Sequence, residues 1–81
     1  MHRIRQSIQF YGRVQGVGFR YKLGYLADKY SVTGWARNEW DGTVTLEIQG
    51  REMLINKLLV GLNHNQFITI NRSAAVELKI T

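Results

Sequence analysis

The stretch that decides the fold is TGWARNEWDGTVTLEIQG, residues 33–50. At its centre stands Asp41-Gly42, a hairpin pair, because a two-residue type I′ turn needs positive φ at both central positions. Residues 33–40 and 43–49 are the expected arms. In the second arm Val44, Leu46 and Ile48 alternate with Thr45, Glu47 and Gln49. That period of two marks a strand with one dry face. Gly50 closes the arm.

Outward from the hairpin the period changes. After it, REMLINKLLVGL (51–62) places Ile55, Leu58, Leu59 and Leu62 on one helical stripe. Before it, YKLGYLADKY (21–30) places Leu23, Leu26, Ala27 and Tyr30 at i, i+3, i+4 and i+7. Gly24 interrupts that helix at about 1 kcal/mol against Ala, and a close backbone approach is the expected compensation. Residues 3–11 read as a strand, with Ile4, Ile8 and Phe10 on one parity and Arg3, Arg5, Ser7 and Gln9 on the other. After a polar NHNQ loop the tail FITINRSAAVELKIT is β-rich, and Val76, Leu78 and Ile80 alternate. Residues 67–72 are either a strand of their own or a lead-in to the last one. The order is β-α-β-β-α-β. It predicts an α+β fold, the ferredoxin-like split β-α-β sandwich, with an antiparallel sheet and two helices on one face.

The 81 residues imply one domain spanning 1–81. Composition is that of an ordinary globular chain, 44% hydrophobic and 21% charged. No apolar run approaches the roughly 20 residues of a membrane helix. The start, MHRIRQSIQF, has no apolar core of a secretory signal. Cysteine is absent, which excludes disulfides, thiolate chemistry and Cys-ligated metal and fits a cytoplasmic setting. His2 and His64 fall in polar stretches and are read as solvated. The net charge of +5 points to an anionic partner.

The first connection, residues 12–20 within YGRVQGVGFRY (11–21), shows where that anion would sit. Gly12, Gly16 and Gly18 permit positive φ and close approach of backbone to a ligand. No Ser, Thr, Asp or Asn stands where the following helix would be capped, so its first N–H groups lack a side-chain acceptor. A phosphate would satisfy them. Arg20 adds a planar guanidinium able to grip two phosphate oxygens. The P-loop pattern is absent, since no Gly-Lys pair occurs. The dinucleotide pattern GxGxxG fails at Tyr21.

GRVQGVGFR (12–20) resembles the signature of the acylphosphatase family, and GWARNEWDGTV (34–44) resembles its second, hairpin signature. The spacing between them and Ala27 in the intervening helix also match, over residues 4 to about 62. The resemblance implies a hydrolase cleaving the carboxyl–phosphate bond of small acyl phosphates, without metal or other cofactor. It implies a phosphate-binding loop of Gln15, Gly16, Val17, Gly18, Phe19 and Arg20. Arg20 would hold the phosphoryl group and the Asn38 amide would position the attacking water. Two departures stand out. Ser31 occupies the end of the first helix, where the family commonly has Gly. The chain also stops short of the family's usual length, so a C-terminal edge strand is expected to be shortened or missing.

Other side chains are assigned structural parts. Asp41 is a turn former, Glu39 a solvated strand-end charge, and Arg37 and Arg13 surface charges. Trp35 and Trp40 are expected to pack, and Tyr11, Phe19, Tyr21 and Tyr25 to lie in the core or its rim. The same element order would suit an RNA-recognition motif, but that needs aromatic residues on the third strand, and TVTLEIQG has none. Nucleic acid and membrane are therefore not expected partners. A catalytically weak regulatory or carbamoyl-handling domain of the same family is the other rival; the presence of both Arg20 and Asn38 argues against it. Oligomeric state is not encoded in any pattern here, and a monomer is the working expectation.

Overall fold

The computed structural model describes residues 2–16, 18–63 and 69–80, apart from the side chains of residues 69 and 71–73. Val17, His64 and the first residues of the 67–72 segment lie outside these. Six elements follow the order expected: β1 (Arg3–Arg13), α1 (Phe19–Tyr30), β2 (Thr33–Asn38), β3 (Val44–Arg51), α2 (Glu52–Leu62) and β4 (Thr69–Leu78). The strands form one sheet in the order β2-β3-β1-β4, and every pairing is antiparallel. β4 is a single ten-residue strand. The question of one or two C-terminal strands thus resolves to one, and no fifth strand occurs among the described residues.

The register shows why one face is dry. Ile4, Ile8 and Phe10 of β1 lie opposite Gly50, Leu46 and Val44 of β3. Together with Ile48 these residues pack against Phe19, Leu23 and Leu26 of α1 and Ile55, Leu58 and Leu62 of α2 in one buried cluster. Both helices therefore cover the same side. The other side carries the opposite parity, and there Arg5 pairs with Glu47 while Arg37 pairs with Glu39. One face on the core and one in water is the ordinary condition of an antiparallel sheet.

Two glycines are dictated by close approach. A Cβ on Gly34 would lie against the carbonyl of Glu47 on the neighbouring strand. A Cβ on Gly50 would come within 2.7 Å of Val32 Cγ1. Gly24 differs from the expectation: a Cβ there would meet nothing within 4 Å. Its cost to the helix is not offset by a backbone contact.

The central hairpin also differs from a two-residue type I′ turn. The last β2–β3 pair is Asn38 with Val44, so the connection runs over residues 39–43. Gly42 N–H donates to Glu39 O at 3.2 Å, and Glu39 N–H donates to Thr43 O at 2.8 Å. Gly42 takes φ of 92°, but Asp41 keeps negative φ. This is the longer hairpin class, a turn followed by a left-handed glycine. Asp41 forms the turn through its carboxylate, which accepts from Thr43 N–H at 3.0 Å and from Thr43 Oγ1 at 2.7 Å.

Candidate active site

Helix α1 begins two residues earlier than its periodicity suggests, at Phe19. Phe19 and Arg20 are thus helical, and the glycine connection shrinks to residues 14–18. It is anchored from below at both ends. Val14 and Phe19 are buried, and the Phe19 ring meets Phe10 edge-on at 5.2 Å between centroids. Between these anchors Gly16 and Gly18 are exposed and left-handed, with φ of 71° and 79°. Any other residue would be strained in those conformations.

Gly18 occupies the N-cap position of α1, and no side chain caps the helix. The sequence-based expectation of uncapped donors therefore holds. No acidic residue stands in the first turn either. Arg20, which does, has the wrong sign for the positive end of a helix dipole. Its guanidinium is exposed, and no hydrogen-bond or ion-pair partner occurs among the described residues. Uncapped N–H donors and a cation without a partner among the described residues stand at one helix end, the arrangement that suits an anion.

Asn38 is the last residue of β2, on the same parity as Gly34 and Ala36. Those residues lie opposite Ile48 and Leu46, whose side chains are in the core, so the parity faces the helices. Asn38 is exposed, and its amide also has no partner among the described residues. What draws its surroundings toward the glycine loop is Gln15. Gln15 Nε2 donates to Glu39 O at 2.7 Å and to Thr43 O at 2.9 Å, spanning the two sides of the hairpin turn. Sequence reasoning assigned Gln15 only a place in the loop and missed this bridge. Its partners lie 24 and 28 residues away, and no local pattern marks them. Thr43 extends the link into the sheet: it is buried, and its Oγ1 accepts from Gln9 Nε2 at 3.0 Å.

Glu39 is not simply solvated. Its carboxylate accepts from Thr45 Oγ1 at 2.6 Å and from Arg37 Nε at 3.2 Å. The Thr45 hydrogen bond, then that of Arg37, holds its pKa below the usual carboxylate value. The Thr43 contacts do the same for Asp41. Both acids are thus stabilised as anions, which suits turn-holding and not proton abstraction. Trp40 and Tyr21 correct the packing expectation. They are 98% and 84% exposed; Trp40 lies two residues after Asn38 and Tyr21 directly follows Arg20 in the chain. Tyr25 and Trp35 are exposed too, with Arg37 lying over the Trp35 ring at 5.5 Å. Among the described residues no group of three His, Cys, Asp or Glu side chains is placed to hold a metal ion.

Fold and site together define an anion-handling α+β sandwich. A family model described as Acylphosphatase matches residues 6–79, so the likeness runs through β4 and beyond the stretch that carries the two motifs. The chain belongs to the acylphosphatase family. The acylphosphatase of Thermococcus kodakarensis is 43% identical over 79 residues, covering 98% of this chain and 85% of that protein. That of Clostridium acetobutylicum is 43% identical over 75 residues, covering 91% and 82%. Among solved structures, acylphosphatase from Bacillus subtilis superposes with a TM-score of 0.88 at 30% identity, over 96% of this chain and 88% of that one. Full-length HypF in its phosphate- and nucleotide-bound form gives 0.88 at 26% identity, over 98% of this chain but 11% of HypF. No helix of the described residues is long and apolar enough to cross a membrane.

Proposed function

We propose that this chain, as one domain over residues 1–81, hydrolyses the carboxyl–phosphate bond of small acyl phosphates, acting as a cytoplasmic monomer. The phosphoryl oxygens are held by backbone N–H groups of residues 15–20 and by the Arg20 guanidinium. The Asn38 amide orients a water in line with the scissile bond. The water oxygen bonds to phosphorus while the P–O bond to the carboxyl group breaks. The carboxylate departs with the bonding pair, and a proton of the water passes to a phosphoryl oxygen. An acyl phosphate already carries a good leaving group, so positioning and charge stabilisation are the catalyst's main tasks.

The observation that carries this reading is Arg20, without a partner among the described residues, at an uncapped helix start. It lies next to a loop that Gln15 ties to the turn beside Asn38. The test is hydrolysis of acetyl and benzoyl phosphate by the natural sequence, Arg20→Ala and Asn38→Ala, with folding checked by circular dichroism. Both variants are expected to lose at least about a hundredfold in kcat/KM, the scale of one transition-state contact. Comparable turnover in all three would overturn the reading. The HypF match shows the same fold as a small part of a much longer chain; a carbamoyl-handling module is the second reading. Turnover of carbamoyl phosphate but not of acetyl or benzoyl phosphate would favour it.

A further inference from the structure

Val76, Leu78 and Ile80 alternate as a buried strand face would, yet the register turns them away from the core. Val76 lies opposite Ser7 and Leu78 opposite Arg5, residues of the helix-free side. Residues directly opposite across two strands share a face, and Ile80 continues that parity. Val76 is 63% exposed, Ile80 is 48% exposed and Leu78 is half-buried. Of the described β4 side chains only the half-buried Ile70 packs against the core cluster. β4 is also an edge, with β1 as its one partner among the described residues. Glu52 N–H donates to His2 O at 3.0 Å, one step beyond the pair Arg3–Arg51. Along an antiparallel strand, successive residues bond to alternate sides. The even-numbered residues of β1 therefore bond to β3, and Arg5 and Ser7 bond to Leu78 and Val76 of β4. The N–H and C=O groups of Ala75 and Glu77 are left pointing away from β1. Proline, a common guard of such edges, is absent from the chain.

We propose that this end of β4 is a self-association surface: two copies pair antiparallel along it, about a twofold axis at Leu78, and join their sheets into one of eight strands. The segment is complementary to itself, which names a second copy as the occupant. With the axis at Leu78, that residue meets the partner's Leu78 on the helix-free face, and Val76 meets the partner's Ile80. On the other face Glu77 meets the partner's Lys79, and the axis repeats the pair. The outward backbone groups of Glu77 then fall at a hydrogen-bonded position, and Leu78 falls at the closer non-hydrogen-bonded one. Moving the axis to Glu77 sets Glu77 against the partner's Glu77, a destabilising like-charge pair. Moving it to Val76 places Leu78 opposite the partner's Ala74 and leaves no cation opposite Glu77. Arg5 Nη1 donates to Lys79 O at 3.3 Å and keeps the chain beyond β4 beside the sheet. A contact of about five residues per copy is well below the 20–30 of a standard interface, so the dimer is weak, with Kd about 100 µM. β1 runs from Arg5, opposite Leu78, to Arg13, where the glycine loop begins. The pairing thus lies at the other end of the sheet from that loop. Each copy keeps its whole site, and the monomer remains the catalytic unit.

The test is sedimentation velocity of the full chain from about 10 µM to about 1 mM, a range that brackets the expected Kd. It is run on the natural sequence, Glu77→Lys, Lys79→Glu, the double exchange and Val76→Lys. The weight-average mass of the natural sequence is expected to rise toward that of a dimer. Either single exchange sets like charges across both copies of the pair and should raise Kd about tenfold, and the double exchange should return it to within about twofold. Val76→Lys should abolish the dimer. All three positions are exposed, so the variants are expected to keep the fold, checked by circular dichroism. A natural sequence that stays monomeric throughout overturns the proposal. So does a dimer indifferent to Val76→Lys, which would place the contact elsewhere. A double exchange that binds no tighter than the single ones overturns it as well.

Discussion

The two ends of helix α1 are built on opposite principles. At the C-terminal end the chain closes on itself. Val32 N–H donates to Ala27 O at 3.1 Å and Ser31 N–H to Asp28 O at 3.4 Å. This double closure is the Schellman pattern. Ser31 takes a left-handed φ of 55° to achieve it, and Lys29 in the last turn has the sign the dipole favours. At the N-terminal end nothing closes. Gly18 supplies a left-handed turn but no side-chain acceptor, and Arg20 opposes the dipole. One end satisfies its backbone even with a residue ill suited to the conformation. The other leaves its donors open with residues well suited to it. The closed end serves stability, and the open end is where the proposed function places the phosphate.

Arg20→Ala tests this contrast most severely. It should lower kcat/KM about 10³-fold, near 4 kcal/mol of transition-state stabilisation. It should also raise stability slightly, because a cation leaves the positive end of the helix. A thermal shift with inorganic phosphate completes the test: stabilisation of the natural sequence and none of the variant. A marked loss of stability in Arg20→Ala would make the residue structural and remove the contrast.

Next in size is Gln15→Ala. It removes the second donor to the Glu39 and Thr43 carbonyls, which keep their backbone partners in the turn, and unties the loop from the hairpin. We expect roughly a tenfold fall in kcat/KM with about 1 kcal/mol of destabilisation. The effect should fall mainly on kcat, since the phosphate donors remain. A change in KM alone would assign Gln15 to substrate binding.

Ser31→Gly addresses the closed end. Relief of the left-handed serine should raise stability by about 1 kcal/mol, partly reduced by the greater freedom of glycine in the unfolded chain. Urea unfolding measures it, and activity should not change. An altered kcat/KM would couple the two ends.

Smallest is the acid response of the hairpin. Glu39 and Asp41 have folded pKa values below their usual ones. Their contribution is complete above the ordinary carboxylate range and is lost as pH falls through the lowered values. Stability should therefore hold from pH 7 to about 5 on this account and decline below about 4. The decline should be shallower in Glu39→Gln, followed by tryptophan fluorescence across the same range. A titration centred above pH 5 would contradict the lowered values.

The sheet and the end of α1 at Tyr30 were largely legible in the sequence, for a reason of scale, whereas the closure made with Ser31 was not. Alternation in β3 and the stripes of Leu23, Leu26, Ile55 and Leu58 are local periods, and burial follows them directly. The open end was legible as an absence, since no capping residue precedes Phe19. Two kinds of feature escaped. The hairpin class depended on φ at Asp41, where Asp-Gly suits more than one turn. The Gln15 bridge and the full exposure of Trp40 depended on how distant segments meet. Arg20 and Asn38 were singled out by motif. Gln15, which ties their two segments together, carries no motif for its side-chain role.

The position of β1 in the sheet has a consequence for how the protein comes into being. It is an inner strand, yet in the chain it precedes both of its partners, which supply residues 44–51 and 69–78. On the ribosome β1 and the glycine loop emerge early and must wait for β4, while the β2–β3 hairpin needs only its own segment. Such distant pairings slow folding and leave apolar strand faces uncovered in the meantime. Recovery of hydrolysis after dilution from urea should accordingly lag behind recovery of helical ellipticity, and simultaneous recovery would mean that the site assembles together with the helices.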